Sequence, residues 1–311
     1  MNCCFRRTSL QESALLRPNV LLHEGNFQVK VDLQPIGGYR GPVGALTLSH
    51  RLGTSFTKWT LEDIEILSSL VNKVLRVIAN RAIPNVLIYG KQDEESFAFH
   101  IVPYPKCNLW EKIKGAIDFV FGANRLKNSE LIKIERFYQP LVVKECQMPT
   151  LVERRARSDV FCRDEVIFKQ RVAQQVFPQG RVYDILYDIS PKGVAKTDPH
   201  LLIVPQKEDG HVDGSFVPNT VRQEMFRIAQ KVMQAFLARG CKSLFYVERN
   251  GEKLQGVHHK HVHAMGVYKM PATFLQKCLQ LLRLFFAPRL DGKELEMCKK
   301  MNQSIFTTQI M

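Results

Sequence analysis

The sequence has 311 residues, 45% of them hydrophobic, and a formal net charge of +14 at pH 7. At roughly 150 residues per domain, this length predicts two domains. The hydrophobic share is typical of a folded globular protein, and no apolar run reaches the roughly 18 residues that a membrane span requires. We therefore expect no membrane partner. The charge favours anionic partners such as nucleotides, polyphosphates, nucleic acid or acidic proteins, without choosing among them.

The N-terminus and the cysteines predict an intracellular protein. No apolar signal segment opens the chain, and the eight cysteines show no CxxC spacing. This pattern is typical of reduced thiols, so we predict a cytoplasmic localisation. Cys3 and Cys4 are interpreted as free thiols rather than acylation sites. RNA is kept as a partner on charge alone, because the sequence has no arginine-rich arm and no aromatic RNA-binding signature.

In chain order, the first half alternates extended and helical segments. The stretches 27–35 and 43–49 predict two strands. Apolar residues at three- and four-residue spacing from Ile64 to Ile78 then predict an amphipathic helix. Two further strands are predicted over 85–90 and 96–106, and another apolar helix follows them.

The second half repeats this order. A helix is predicted from Val221 to Phe236, and strands are predicted over 183–191, 199–205, 243–248 and 259–269. A repeat of this length indicates a duplication. The fold class is therefore predicted as α+β, with two similar domains that each combine an antiparallel sheet with helices.

The duplication also predicts how the chain is organised. The domains are predicted over 1–145 and 158–311, with the boundary in the charged stretch 144–158. Two similar domains in one chain often pack as an intramolecular pseudo-dimer. No further oligomer is then required.

Four of the nine histidines lie within residues 258–263, in the sequence HHKHVH. On a strand, His259, His261 and His263 share one face, whereas His258 and Lys260 point to the other. Such a row can bind a metal, carry out nucleophilic catalysis at phosphorus, or lie on the surface without a catalytic or binding role. No cysteine or carboxylate stands beside the row at a ligand spacing, so no metal is predicted.

The second half resembles a histidine triad (HIT) domain, whose signature is three histidines that alternate with apolar residues. HKHVHAM matches this signature, VYDILYDISP the ribose-facing strand, PHLLIVPQK a strand that ends in Pro-Lys, and DEVIFKQRVAQQVF the opening segment. The matches span roughly 160–270 and come in the family's order. The resemblance implies that both halves are HIT-like domains and that the first is degenerate.

The resemblance also implies a role for each matched residue. His261 matches the nucleophile, which attacks the α-phosphorus of a nucleotide and forms a covalent nucleotidyl-histidine. His259 and His200 hold the other histidines in place, and His263 contacts the phosphate and assists the leaving group. The nucleotide contacts implied are Asp188 for the ribose, Ile189, Ile167 and Phe168 for the base, and the less clearly matched Asn250 and Gly256 for the phosphates. No cofactor is implied.

The third triad position bears on the reaction. Hydrolytic branches of the family carry histidine there, whereas transferase branches usually carry glutamine. We therefore predict a hydrolase of nucleoside phosphoramidates or phosphoanhydride-linked nucleotides. Two alternatives stay open: a nucleotidyltransferase or phosphorylase with a phosphate or sugar-phosphate acceptor, and a nucleotide- or capped-RNA-binding protein without turnover. The His-Pro-His motif of the uridylyltransferases is absent, so the chain does not match the uridylyltransferases closely.

Departures from the family pattern mark both halves. Lys260 stands where the family has an apolar residue, which predicts that this side of the strand is partly exposed or covered by an acidic group. In an alignment without gaps, Glu248 stands where the family has an asparagine in the loop before the triad. In the first half, the counterparts of His259, His261, His263 and His200 are Ser96, Ala98, His100 and Gly44, and Asp32 is the counterpart of Asp188. Without the nucleophile, the first half cannot run the implied reaction.

Overall fold

The computed structural model describes residues 19–35, 43–93, 96–141, 160–191, 198–206, 217–251, 253–254, 257, 259–270, 273–287 and 289–307. The predicted domain boundary at 144–158 lies outside the described residues, as do His258 and Gly256.

The described strands form one antiparallel sheet of ten strands. The first five are β1 (Val20–Glu24), β2 (Phe27–Val31), β3 (Leu46–His50), β4 (Val86–Asp93) and β5 (Ser96–Pro103). The second five are β6 (Arg171–Val176), β7 (Val182–Tyr187), β8 (His200–Pro205), β9 (Ser243–Asn250) and β10 (Val262–Val267). Their order across the sheet is β1-β2-β3-β5-β4-β9-β10-β8-β7-β6. The predicted α+β class is confirmed.

Seven α-helices accompany the sheet within the described residues. They are α1 (Leu61–Ala79), α2 (Leu109–Phe121), α3 (Asn128–Tyr138), α4 (Asp164–Gln170), α5 (Asn219–Ala238), α6 (Phe274–Phe285) and α7 (Gly292–Thr307). The two predicted amphipathic helices are α1 and α5. Thr60 begins α1 with a capping box, in which its side chain accepts from the backbone N–H of Asp63. None of the helices described is long and apolar enough to cross a membrane.

The main core lies between one face of the sheet and the helices α1, α3, α5 and α7. Strand β2 shows how the alternation works: Phe27, Val29 and Val31 point into this core and are fully buried. At the centre, α1 packs beside α5. Arg222 of α5 donates from Nε to Oδ1 of Asn72 in α1 over 2.8 Å, which ties the two halves of the chain together.

The opposite face of the sheet carries α2 and α6. Phe119 of α2 packs with ring-centroid distances of 5.9 Å against Tyr89 of β4 and against Phe245 of β9. The ring of Phe121 lies 5.6 Å from that of Phe274 in α6, so the two helices are neighbours. Beside them, this face also presents the histidines.

Candidate active site

The histidine segment is a strand only in part. Strand β10 begins at Val262, which pairs with Ile203 on one side and with Glu248 on the other. His259 and His261 precede the strand, so the prediction of a strand from residue 259 was wrong for these positions. Beyond Glu248, strand β9 pairs only with β4, through Arg249 and Asn250. His259 and His261 are held by hydrogen bonds from their side chains to backbone carbonyls.

Two backbone carbonyls determine the tautomers of His261 and His259. Nδ1 of His261 lies 2.8 Å from the carbonyl oxygen of His259, and Nε2 of His259 lies 2.6 Å from that of Pro205. A carbonyl oxygen can only accept a hydrogen bond, so each of these nitrogens carries a proton. The other nitrogen of each neutral ring then holds a lone pair. His261 therefore offers Nε2 as a base or nucleophile.

His200 and His263 form the second part of the cluster. Nε2 of His200 lies 2.9 Å from Nδ1 of His263 and 3.4 Å from Oδ2 of Asp188. Because a carboxylate accepts, we assign the proton to Nε2 of His200 and the acceptor role to Nδ1 of His263. Nε2 of His263 then carries a hydrogen that can be donated to a phosphate or leaving group. The rings of His261 and His263 are 5.1 Å apart, so both parts belong to one site.

Burial keeps His261 neutral. Desolvation is the main cause that lowers its pKa to about 4, and the charges of Arg249 and Lys260 lower it further. The hydrogen bond to His259 and the charge of Asp188 act in the opposite direction. At neutral pH the imidazole therefore retains its lone pair, which an attack on phosphorus requires.

Asp188 has a second contact that fixes its orientation. Its Oδ1 accepts from the backbone N–H of Ser190 over 2.9 Å. The following residue, Ile189, is half-buried, packs against the main core, and accepts from the N–H of Leu290 over 2.8 Å. Asp188 thus lies beside the histidines, whereas Ile189 contributes to the fold here, and contact of Asp188 with a ribose stays a prediction.

The two remaining predicted base contacts lie in α4 and differ in exposure. Ile167 is buried in a small cluster with Leu186, Leu202 and Val204, beside the histidines. Phe168 is 78% exposed, so its side chain does not line a closed cavity in this structure. Contact of either with a base stays a prediction.

Phe161 and Cys162 were not predicted, yet both contact the triad. The Phe161 ring lies 5.3 Å from that of His261 and 6.0 Å from that of His259. Sγ of Cys162 lies 3.8 Å from Nδ1 of His259, the nitrogen that holds the lone pair. They lie about 100 residues from the triad in sequence, so no local pattern linked them to it.

Asn250 does not join the site. It lies on the opposite face of β9, where its Oδ1 accepts from Nζ of Lys260 over 2.7 Å. Lys260 also contacts Oε1 of Glu248 at 2.5 Å, and Nη1 of Arg222 lies 2.6 Å from Oε2 of the same carboxylate. All four side chains are buried. Glu248 is therefore the acidic group that was predicted to cover Lys260. Asn250, which was expected to contact a phosphate, does not lie at the histidines.

Arg249 occupies the histidine face of β9 instead. His263 pairs with Val247 in the ladder, and strand alternation puts Arg249 on the same side. Burial lowers the pKa of Arg249 and the charge of Asp188 raises it, while the charge of Arg249 lowers the pKa of His261, so the three groups interact electrostatically. The predicted strand 243–248 ended one residue too early to include it.

One subset of the site has a metal-binding arrangement. Asp188, His200 and His263 each offer a ligand atom, and these atoms lie within 4.8 Å of one another. Nitrogen and carboxylate ligands suit zinc. The same atoms already satisfy each other through the hydrogen bonds above, so the geometry is explained without an ion.

The first half retains a histidine–carboxylate pair at the position equivalent to His263 and Asp188. Nδ1 of His100 lies 2.9 Å from Oδ2 of Asp32, and the ring of Tyr89 stacks on His100 at 4.5 Å. Oγ1 of Thr47 also contacts Nδ1 of His100, at 3.3 Å. Tyr89 and Tyr104 belong to a second apolar cluster, which lies beside this histidine–carboxylate pair.

The counterpart of His200 differs by one residue from the sequence prediction. The N–H of Asp188 donates to the carbonyl of His200, and the N–H of Asp32 donates to that of Ala45. The equivalent ladder position is therefore Ala45, not Gly44. The connection between the two strands is one residue longer in the first half, which a gap-free alignment of these strands could not show.

Comparisons with known proteins support the fold. No protein-family model and no curated protein sequence matches the chain. Among solved structures, a uridylyltransferase matches with a TM-score of 0.56 and 9% identity, over 93% of this chain and 87% of that one. An ADP-glucose phosphorylase from Arabidopsis thaliana with bound ADP-glucose gives a TM-score of 0.48 at 8% identity, over 81% and 74% of the two chains. At such identities the similarity shows the fold alone.

Proposed function

We propose that the protein is a HIT-superfamily enzyme that transfers a nucleotidyl group through His261 to an acceptor that carries a phosphate. The observation that carries this proposal is the state of His261, whose Nδ1 is hydrogen-bonded to the His259 carbonyl while burial keeps the ring neutral. This arrangement presents Nε2 as a nucleophile. A fold shared with a uridylyltransferase supports transfer over hydrolysis.

The proposed reaction has two steps. Nε2 of His261 attacks the α-phosphorus of a nucleotide, and the bond from this phosphorus to the leaving oxygen breaks. The leaving phosphate departs as an anion, and the Nε2–H of His263 stabilises it by donating a hydrogen bond. In the second step, an anionic oxygen of the acceptor phosphate attacks the same phosphorus, the phosphorus–nitrogen bond breaks, and Nε2 of His261 regains its lone pair.

Arg249 supports a phosphate-bearing acceptor. A guanidinium binds phosphate oxygens in two-pronged geometry and stabilises charge that develops at phosphorus. Its place beside His261 and Asp188 suits the leaving and entering phosphates, which occupy the same position in the two steps. Arg249 would then supply the phosphate contact that was expected of Asn250.

Hydrolysis is the second candidate, and His263 favours it through the family resemblance. Labelled nucleotide sugars, diadenosine polyphosphates and an adenosine phosphoramidate would be offered with and without inorganic phosphate or a sugar phosphate. Turnover that requires the acceptor, with the nucleotidyl group found on it, is the expected result. Equal release of mononucleotide without acceptor would establish hydrolysis, and binding without turnover would exclude both reactions for these substrates.

We further propose that the two halves are duplicated HIT-like domains, over 1–145 and 158–311, in a pseudo-dimer. Read from each edge inward, both halves of the sheet have the same strand order. In the ladders, Tyr89 pairs with His100, and Val247 pairs with His263. Tyr89 and Val247 also pair with each other where the halves meet. A residue on a two-fold axis pairs with its own counterpart in this way.

The low pKa of His261 predicts an unusual pH profile. The rate of nucleotidyl-histidine formation should stay level from pH 7 to about pH 5 and fall below that, with a midpoint near pH 4. Protonation removes the lone pair, so the rate follows the neutral fraction. Rapid-quench measurement with a substrate whose phosphates do not titrate in this range tests the profile. A midpoint near 6.5 would show an imidazole that is not desolvated.

Arg249 is expected to govern affinity for the acceptor. Replacing it by methionine should raise KM for phosphate or sugar phosphate about 10- to 100-fold, since one charged hydrogen-bonding group is worth about 1.5–3 kcal/mol. Arg239→Met is the matched control, because Arg239 bonds Asn302 and Ser304 away from the histidines. Unchanged acceptor kinetics in Arg249→Met would remove Arg249 from the acceptor site.

A further inference from the structure

Helices α2 and α6 expose an apolar surface, which we call the α2–α6 surface. On α2 its outward residues are Trp110, Ile117 and Phe121; on α6 and just after it they are Leu275, Leu279, Leu282 and Phe286. Trp110 is 70% exposed, Leu275 69% and Phe286 78%. The spacing within each helix places these residues on one side, pointing away from the sheet.

The composition of α6 makes this exposure unusual. Its inward side is also apolar, with Cys278, Leu281 and Leu284 half-buried. A surface helix of a globular protein normally keeps charged and polar residues on its outer side, whereas the polar residues of α6, Gln276, Lys277, Gln280 and Arg283, lie along one flank. The contact between Phe121 and Phe274 joins the two outward stripes into one continuous patch. Patches of this kind mark interaction sites.

The charge around the patch points to an acidic partner. Residues 104–127 and 268–290, which contain the two helices, include nine lysines and arginines and two acidic residues. They therefore contribute +7 of the chain's net charge of +14. Lys114 of α2 and Arg283 of α6 lie close to the apolar stripes. A second copy of the chain would bring two such positive faces together, which charge repulsion disfavours.

We propose that the α2–α6 surface adsorbs to an anionic lipid bilayer, with the helices lying in the plane of the interface. Leucine, tryptophan and phenylalanine side chains would enter the boundary between headgroups and acyl chains, and the flanking lysines and arginines would contact lipid phosphates. This binding needs no membrane span. It revises the expectation of no membrane partner, which considered spanning segments alone, and it does not depend on the proposed function.

The experiment uses the full chain and vesicles of phosphatidylcholine, with or without about a third of phosphatidylserine, in a flotation assay. The variant Leu275→Ser/Leu279→Ser/Leu282→Ser removes the α6 stripe. Leu52→Ser/Leu61→Ser/Met297→Ser is the matched control, since these residues are comparably exposed elsewhere. All six substitutions are at exposed positions, so both variants should fold, which circular dichroism melting checks.

The wild type and the control should bind the anionic vesicles at least about tenfold more tightly than neutral ones, and added salt should weaken the binding. The stripe variant should lose about tenfold or more in affinity for the anionic vesicles. Equal binding to both kinds of vesicle, or none, would overturn the proposal. A wild-type dimer that the stripe variant abolishes, without vesicle binding, would assign the surface to a second copy instead. A monomer without vesicle binding would leave an acidic protein as the partner.

Discussion

Replacing His261 by glutamine is expected to abolish turnover, with a loss of at least about 10⁴-fold in kcat. The side chain has nearly the size of histidine, so the packing against Phe161 can persist, but its amide has no lone pair that attacks phosphorus. Removal of a covalent nucleophile costs losses of this order because no other group can form the intermediate. The measurement is steady-state turnover of whichever substrate the panel identifies.

Nucleotide affinity separates chemistry from folding in this test. The Kd of His261→Gln for the nucleotide should stay within a few-fold of the wild-type value, because the variant loses a reacting group rather than the pocket. His100→Gln, in the first half, is the matched control and should keep full activity, since the counterpart of His261 there is Ala98. Residual turnover of His261→Gln within about tenfold of wild type would exclude His261 as the nucleophile.

Glu248→Gln is expected to lower the free energy of unfolding by about 3–5 kcal/mol, as for other broken buried ion pairs. The carboxylate is the shared partner of Arg222 and Lys260, and all three side chains are fully or almost fully buried. Without it, two buried cations face each other with no anion. Urea denaturation monitored by circular dichroism measures the effect.

The other variants of this cluster should rank below Glu248→Gln. Lys260→Met leaves the pair of Glu248 and Arg222 intact, so its cost should be smaller. Glu24→Gln, at a partly exposed pair with Lys73, should change the stability by no measurable amount. If Lys260→Met cost as much as Glu248→Gln, the shared-partner account would be wrong.

Stability should also depend on pH through Glu248. Burial alone would raise its pKa, but the charges of Arg222 and Lys260 more than offset this and lower the pKa to about 2, from an ordinary 4.5. Between these values the unfolded chain binds more protons than the folded one, so stability falls as the pH drops from about 5 towards 2. Above pH 5 the contribution is fully present.

The sequence predicted the parts of the fold that show strong periodicity. Helices α1 and α5 and eight of the ten strands were expected where they lie. The edge strands β1 and β6 were not, because VLLHE and RVAQQV have no clear alternation and lie at the rims of the sheet. Helices α3, α4 and α7 were not predicted either. In α7, the exposed Met297 and Met301 obscure the apolar side that Leu295, Cys298 and Ile305 form.

Site residues that belong to a sequence motif were predicted. Residues that only the folding of the sheet brings to the site were missed. The four histidines and Asp188 share one site, as the motifs indicate. Arg249, Phe161 and Cys162 reach it through strand pairing and a distant segment. Asn250 was chosen by proximity in sequence, but alternation along β9 turns it to the opposite face. Similarly, one extra residue between β2 and β3 shifted the counterpart of His200 to Ala45.

The most direct test of the account is to isolate the covalent intermediate. Wild-type protein would be mixed with α-³²P-labelled nucleotide substrate without acceptor, quenched in alkali, digested, and mapped by mass spectrometry. We expect an acid-labile, alkali-stable nucleotidyl group on Nε2 of His261, which disappears and is recovered as product when acceptor is added before the quench. Turnover without any labelled protein, or a label on another residue, would contradict it.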